Sequence, residues 1–145
     1  MTVRRATVVD LPLMLDIARA SYGVQFDEDK AREFGLRTLM SPEIAAFLDD
    51  DAFCMVGLSE YFWERQKRAN CMFTAVRKAQ VWQAVKTVRA ALQWSRSKGA
   101  SSFHIGEETG MDMGVIAKRL GLAKDRPSYR IDLRSPQHRF WMRAA

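Results

Sequence analysis

Between Arg65 and Ala100 the chain carries nine basic residues, Arg65, Lys67, Arg68, Arg77, Lys78, Lys86, Arg89, Arg96 and Lys98, and no acid. Such a run either solvates a hairpin and a helix face or forms an anion site, for the phosphates of a cofactor or for nucleic acid. The imbalance is regional: net charge is −5 over residues 1–60 and +11 over residues 61–145. Other groups with chemical reach are few. Cys54 and Cys71 sit in apolar, strand-like runs and read as buried free thiols, which suits a reducing cytoplasm. His104 and His138 are the only histidines and neither has a partner at ligand spacing, so no metal site is expected. Gly106-Glu-Glu-Thr-Gly reads as a solvated acidic turn. Trp63, Trp82 and Trp141 could stack on bases, whereas Trp94 falls on a long helix and reads as core. The tail from Arg134, with His138, Arg139, Phe140, Trp141 and Arg143, reads as a segment for a protein partner or homo-oligomer, because aromatic and Arg residues are enriched in interfaces. A nucleic-acid arm is the alternative there.

These groups need a frame. The 145 residues are 48% hydrophobic and 28% charged, the balance of one soluble globular domain spanning 1–145, with 134–145 as its tail. No apolar run approaches the roughly 20 residues of a membrane span, and the first residues lack a signal-peptide pattern, so no membrane partner is expected. Val3 to Val8 predicts a short strand. Asp10 predicts a helix N-cap, with Pro12 in the first turn and the helix ending near Gly23. The acids Asp27, Glu28 and Asp29 open a second helix that Ser41-Pro42 ends. Ile44–Leu48, Ala52–Phe62 and Ala69–Val76 read as an antiparallel meander, with Gly57 as a candidate bulge.

The strongest helical pattern runs from about Gln80 to Lys98, where Val81, Val85, Val88 and Leu92 recur at helical spacing and Gly99 stops it. Strand Ser101–Ile105, a loop, a helix Met113–Leu120 and an alternating strand Ser128–Leu133 follow. A strand, a helix and a strand in that order imply one parallel pair within a mixed sheet.

This order and several local phrases resemble the GCN5-related N-acetyltransferase (GNAT) superfamily. Val3-Arg-Arg-Ala-Thr-Val-Val-Asp-Leu-Pro is similar to that family's first strand and helix start. Ala69 to Ala100 is similar to its central strand, cofactor loop and long helix. Ala117-Lys-Arg-Leu-Gly-Leu and Tyr129-Arg-Ile-Asp-Leu are similar to its last helix and the strand after it. Short, basic members with altered loops are common among bacteriophage proteins, and the chain resembles those, which would place it in a host cytoplasm or a virion. The resemblance implies an α/β (α+β) fold with a mixed, mainly antiparallel sheet and helices on both faces. It also implies acetyl-CoA as cofactor. The pantetheine arm would pair with Phe73, Thr74, Ala75 and Val76. The loop and helix start, Arg77, Lys78, Trp82, Gln83 and Ala84, would face the pyrophosphate.

The family's loop reads Gln/Arg-x-x-Gly-x-Gly/Ala. In that register stand Ala79, Gln80, Val81, Trp82, Gln83 and Ala84, of which only Ala84 agrees. Glycine is wanted so that phosphate oxygens reach the backbone without meeting a Cβ. Trp82 would fill the pyrophosphate's space unless the loop is rearranged, while Arg77, Lys78 and Lys86 could compensate as charged donors. The catalytic positions differ too. Asn70 stands where histone-modifying relatives carry a glutamate, and Ala117 where many carry a tyrosine. Glu60 and Tyr129 are the candidate replacements for base and acid, although Glu60 also reads as a solvent-facing strand residue and Tyr129 as a packing aromatic. The chain therefore reads as an acetyl-CoA-dependent N-acyltransferase for an unknown amine, as an inactive binding or virion protein of the same fold, or as a nucleic-acid binder through the basic 65–100 face.

Overall fold

The computed structural model describes residues 2–63, 65–77, 81–106 and 113–124. In chain order these form β1 (Arg4–Arg5), α1 (Leu11–Tyr22), α2 (Glu28–Leu39), β2 (Ile44–Leu48), β3 (Ala52–Glu60), β4 (Lys67–Val76), α3 (Val81–Ser97), β5 (Ala100–Ile105) and α4 (Met113–Leu120). The sheet order is β1-β2-β3-β4-β5, antiparallel except for the parallel β4/β5 pair. This is the mixed sheet the sequence predicts. The predicted strand Ser128–Leu133 and the tail from Arg134 lie outside the described residues.

The first strand is shorter than expected, and Asp10 is the cause. Its carboxylate accepts the Thr7 N–H at 2.8 Å and the Arg4 guanidinium at 2.9 Å. That closes a capping box around a 3-10 turn at Val8–Asp10, so the chain curls before α1 instead of extending to Val8. Asp10 does precede α1, but its side chain serves that turn and makes no cap bond to α1. Gly23, at φ +66°, ends α1 in a conformation that suits glycine. Asp27 caps α2 by accepting the Lys30 N–H, and Arg19 of α1 pairs with Glu28 of α2.

Two further predictions need correction. Strand β3 stops at Glu60 rather than Phe62, because Tyr61, Phe62 and Trp63 form an exposed turn instead. Their rings find one another: Tyr61 stacks on Trp63 at 4.6 Å, and the Arg68 guanidinium sits 4.2 Å from the Tyr61 ring. The bulge is also not at Gly57. Met55 pairs with Phe73 and Val56 with Cys71, which makes Met72 of β4 the extra residue. Gly57 answers it from β3, since a Cβ there would stand 3.0 Å from Met72 Sδ. A glycine that reads as a bulge in sequence is space left for one.

The sheet is covered on both faces. Alternation sends Ala52, Cys54 and Val56 of β3 toward α3 and α4, where Val85, Val88, Ala91, Trp94 and Ile116 complete one core. Phe53 and Met55 point the other way, into a second core with Met14, Ile17 and Ala18 of α1. Trp94 is buried beside Phe47, as its helical position predicts. Gly99, at φ +83°, stops α3. Among the described residues no helix is long and apolar enough to cross a membrane.

Candidate functional site

The parallel pairing of β4 with β5 runs from Lys67↔Ala100 to Cys71↔Ile105 and stops there. Strand β4 does not stop. Met72 to Val76 continue along β3, with no β5 partner among the described residues. The bulge at Met72 coincides with the parting point, where its added twist turns β4 away from its neighbour. Two parallel strands that diverge in this way leave a V-shaped gap. It opens into a groove of about 2000 Å³ between α1, α2, β4, β5 and α4, and α3 starts beyond the far end of β4.

Of the predicted cofactor residues that are described, Phe73 lines the groove, Thr74 to Val76 follow it to the end of β4, and Arg77, Trp82, Gln83 and Ala84 lie beyond that end. Phe73 is half exposed, lines the groove and meets Phe34 edge-on at 5.6 Å. Thr74 is buried, and its carbonyl accepts the Tyr22 hydroxyl at 2.9 Å. Ala75 is buried on the α1 side and Val76 on the α3 side. Arg77 donates its N–H to the Asp51 carbonyl at 2.6 Å, and its guanidinium lies 4.0 Å from the Asp51 carboxylate. Gln83 donates Nε2 to the same carboxylate at 3.1 Å, while its Oε1 is buried with no partner among the described residues. Trp82 is half exposed, with Lys86 Nζ 5.2 Å from its ring centroid. Ala84 is fully buried, backbone included. Lys78 lies outside the described residues.

Of the predicted catalytic pair, Glu60 is not among the residues lining the groove. Glu60 sits opposite Lys67 at the other end of the β3/β4 ladder, beside a small cavity shared with Glu43 and Ser59. Tyr129 lies outside the described residues. Asn70 is exposed and donates Nδ2 to Ser59 Oγ at 3.1 Å, and Ala117 lines the groove from α4.

Other residues stand closer to the parting point. Cys54 and Cys71 are both free thiols, with sulfurs 3.5 Å apart, and Cys71 Sγ is also 3.1 Å from Thr74 Oγ1. Their hydrogen bond and burial push the Cys54 thiol up, while that bond pulls Cys71 down. Tyr22 is pushed up to about 12, chiefly by burial, so it stays a neutral donor. His104 projects from β5 into the groove, with Nε2 3.0 Å from Ser102 Oγ. The sequence offers little sign of these contacts, since each depends on cross-strand register.

No protein-family model matches the sequence, and no curated protein does. Solved structures do. An aminoglycoside N-acetyltransferase in complex with CoA aligns at TM-score 0.72 and 13% identity, covering 92% of this chain and 94% of that one. An aminoglycoside antibiotic 6'-N-acetyltransferase from Acinetobacter haemolyticus aligns at TM-score 0.73 and 14% identity, over 93% and 99% of the two chains. An aminoglycoside acetyltransferase from an uncultured soil metagenomic sample, in complex with sisomicin, aligns at 0.65 and 14%, over 92% and 96%. At such identities the likeness speaks to fold, and the chain has the GNAT acetyltransferase fold.

Proposed function

We propose that the chain is an acetyl-CoA-dependent N-acyltransferase acting on an amine. One observation carries the reading: pairing of β4 and β5 ends at Cys71↔Ile105 while β4 runs on toward the start of α3. A strand that has parted from its neighbour suits an extended amide chain, which adds to a sheet edge as a further strand. The helix start beyond it suits an anion. Bound coenzyme would supply an activated acetyl thioester.

The residues present fit the coenzyme's arm. Phe73 to Val76 would hold it along the gap, and Gln83 Oε1, buried with no partner among the described residues, is an acceptor matched to an amide N–H or a hydroxyl rather than to a phosphate. Arg77 and Lys86 would supply positive charge for the phosphates. The buried walls of the groove would keep water from the thioester.

A titration tests this. A ligand at 100 times its Kd adds about 2.7 kcal/mol to folding stability, so acetyl-CoA should raise the melting temperature of the full chain. Thiol release with a panel of amines then reads turnover. No shift at millimolar acetyl-CoA ends the proposal and favours a binding protein that keeps only the fold. Tyr22 on the Thr74 carbonyl is the observation that gives this second reading its place, because it occupies a group the arm would use.

A further inference from the structure

Cys54 and Cys71 are the only cysteines of the chain, both are free, and the fold sets their sulfurs 3.5 Å apart. The meeting depends on the irregularity in β4. In an unbroken ladder continuing from Met55↔Phe73, Cys71 would fall opposite Gly57, on the sheet face away from Cys54. The extra residue, Met72, instead brings Cys71 opposite Val56, which shares a face and a core with Cys54. The two sulfurs differ in access. Cys54 is fully buried, whereas Cys71 is half-buried and lines the groove. Thr74 Oγ1 stands 3.1 Å from Cys71 Sγ, within hydrogen-bonding reach of the sulfur in either protonation state. The hydrogen bond with Cys54 holds the Cys71 thiol below its ordinary value, which favours the thiolate, the form that attacks.

We propose that this pair is an oxidation site, at which a small hydroperoxide entering by the groove joins Cys71 to Cys54 in a disulfide within one chain. Cys71 is the attacked sulfur, because it reaches the groove, and Cys54 is the resolving one, already in contact behind it. Acyl transfer has no part in this chemistry, and the oxidation requires no coenzyme. The Cys71 thiolate attacks one peroxide oxygen, a sulfur–oxygen bond forms, the oxygen–oxygen bond breaks, and the leaving oxygen takes a proton to become water or an alcohol. The Cys54 sulfur then attacks Cys71 Sγ, the sulfur–sulfur bond forms, and the sulfur–oxygen bond breaks. The departing hydroxide takes the Cys54 proton and leaves as water. Two thiols are oxidised to one disulfide, and one hydroperoxide is reduced to one alcohol, or water, and one water.

The bond would act on the fork. Closing it brings the sulfurs from 3.5 Å to about 2.05 Å. The partners are diagonal rather than directly opposite, since Cys54 faces Thr74, so closure draws β4 toward β3 beside the extra residue. Cys71 is also the last residue of β4 that pairs with β5 among the described residues. A disulfide made by displacing backbone is readily reduced, which suits a reversible switch better than a permanent staple.

The test exposes the reduced full-length chain to hydrogen peroxide in native buffer, quenches with catalase and counts thiols in denaturant. The count should fall from two to none, the intact mass should drop by two hydrogen atoms, and peptide mapping should link Cys54 to Cys71 in a monomer. Dithiothreitol should restore both thiols. Cys54→Ala should stop at a sulfenic acid on Cys71, trapped by dimedone. Cys71→Ser should leave the Cys54 thiol intact over the same interval. Two thiols persisting in the wild-type chain while glutathione in the same tube is oxidised overturn the proposal. So does a disulfide that joins two chains, or a sulfenic acid that appears at Cys54 first. The same measurement in low urea guards against reaction through the unfolded chain: the rate should stay level, and a rate that climbs in step with unfolding overturns the site. The outcome is independent of the coenzyme titration, so either reading can fail alone.

Discussion

Tyr22 of α1 donates its hydroxyl to the carbonyl of Thr74 at 2.9 Å, across 52 positions of sequence and onto the stretch of β4 that β5 has left. A helix thus satisfies a backbone group that the diverging strands expose. Tyr22→Phe removes the donor and leaves the ring. It should cost about 0.5–1.5 kcal/mol of stability, the net worth of one such bond, read by urea melts. It should also strengthen acetyl-CoA binding, because the carbonyl becomes available to the ligand. Weaker binding in calorimetry would place Tyr22 among the residues that hold the coenzyme.

Trp82 tests the altered loop. It is half exposed and carries Lys86 over its ring, so Trp82→Gly removes bulk and leaves the charge. Stability should drop, by about 0.5 kcal/mol from helix propensity, since glycine's cost is reckoned against alanine and tryptophan already carries part of it. Acetyl-CoA affinity should rise nonetheless. An unchanged Kd would show that the indole already stands clear of the coenzyme.

The N-terminal turn has a defined pH window. Hydrogen bonds from Arg4, and then from Thr7, hold the Asp10 carboxyl at about 2, against an ordinary value of 3.8. A folded-state pKa below the unfolded one contributes stability above about pH 4 that is lost as pH falls from 3.8 toward 2. Asp10→Asn should lower stability at pH 7, because the amide lacks the charge that pairs with the Arg4 guanidinium. Its deficit should vanish in melts near pH 2. A deficit independent of pH would mean the carboxylate's charge contributes nothing.

The thiol pair makes a prediction about order. Cys71 is the more acidic sulfur and lines the groove, whereas Cys54 is fully buried behind it. Iodoacetamide should label Cys71 first, beginning at a lower pH than an ordinary thiol, and acetyl-CoA should slow the reaction. Peptide mass spectrometry reads the site. First labelling at Cys54 would contradict this order of burial and acidity.

What was legible in the sequence was local. The stripe from Val81 to Leu92 marks α3 because helical spacing follows from apolar positions alone. Ile44–Leu48 and Met113–Leu120 keep their expected bounds. Tyr61, Phe62 and Trp63 misled because strong β formers extend a predicted strand, whereas here they stack on one another in a turn. The site was harder still. Which face His104 occupies follows from its parallel pairing with Asn70, and the meeting of Cys54 with Cys71 follows from a register that slips at Met72. Asp51 reads as a turn acid, yet it holds both Arg77 and Gln83. Long-range register leaves no mark on composition or spacing, so none of these contacts was available from the residues alone.

The extra residue in β4 has a consequence for insertions and deletions. Excising Met72 would leave Met55 opposite Phe73 and Val56 opposite Cys71, now consecutive in an unbroken ladder with every side chain still on its own face. Such a shortened chain would lay β4 flatter against β5 and zip the fork shut. A single codon therefore separates a closed, ordinary sheet from one that keeps a slot, and the irregularity is the part of the strand with most to lose.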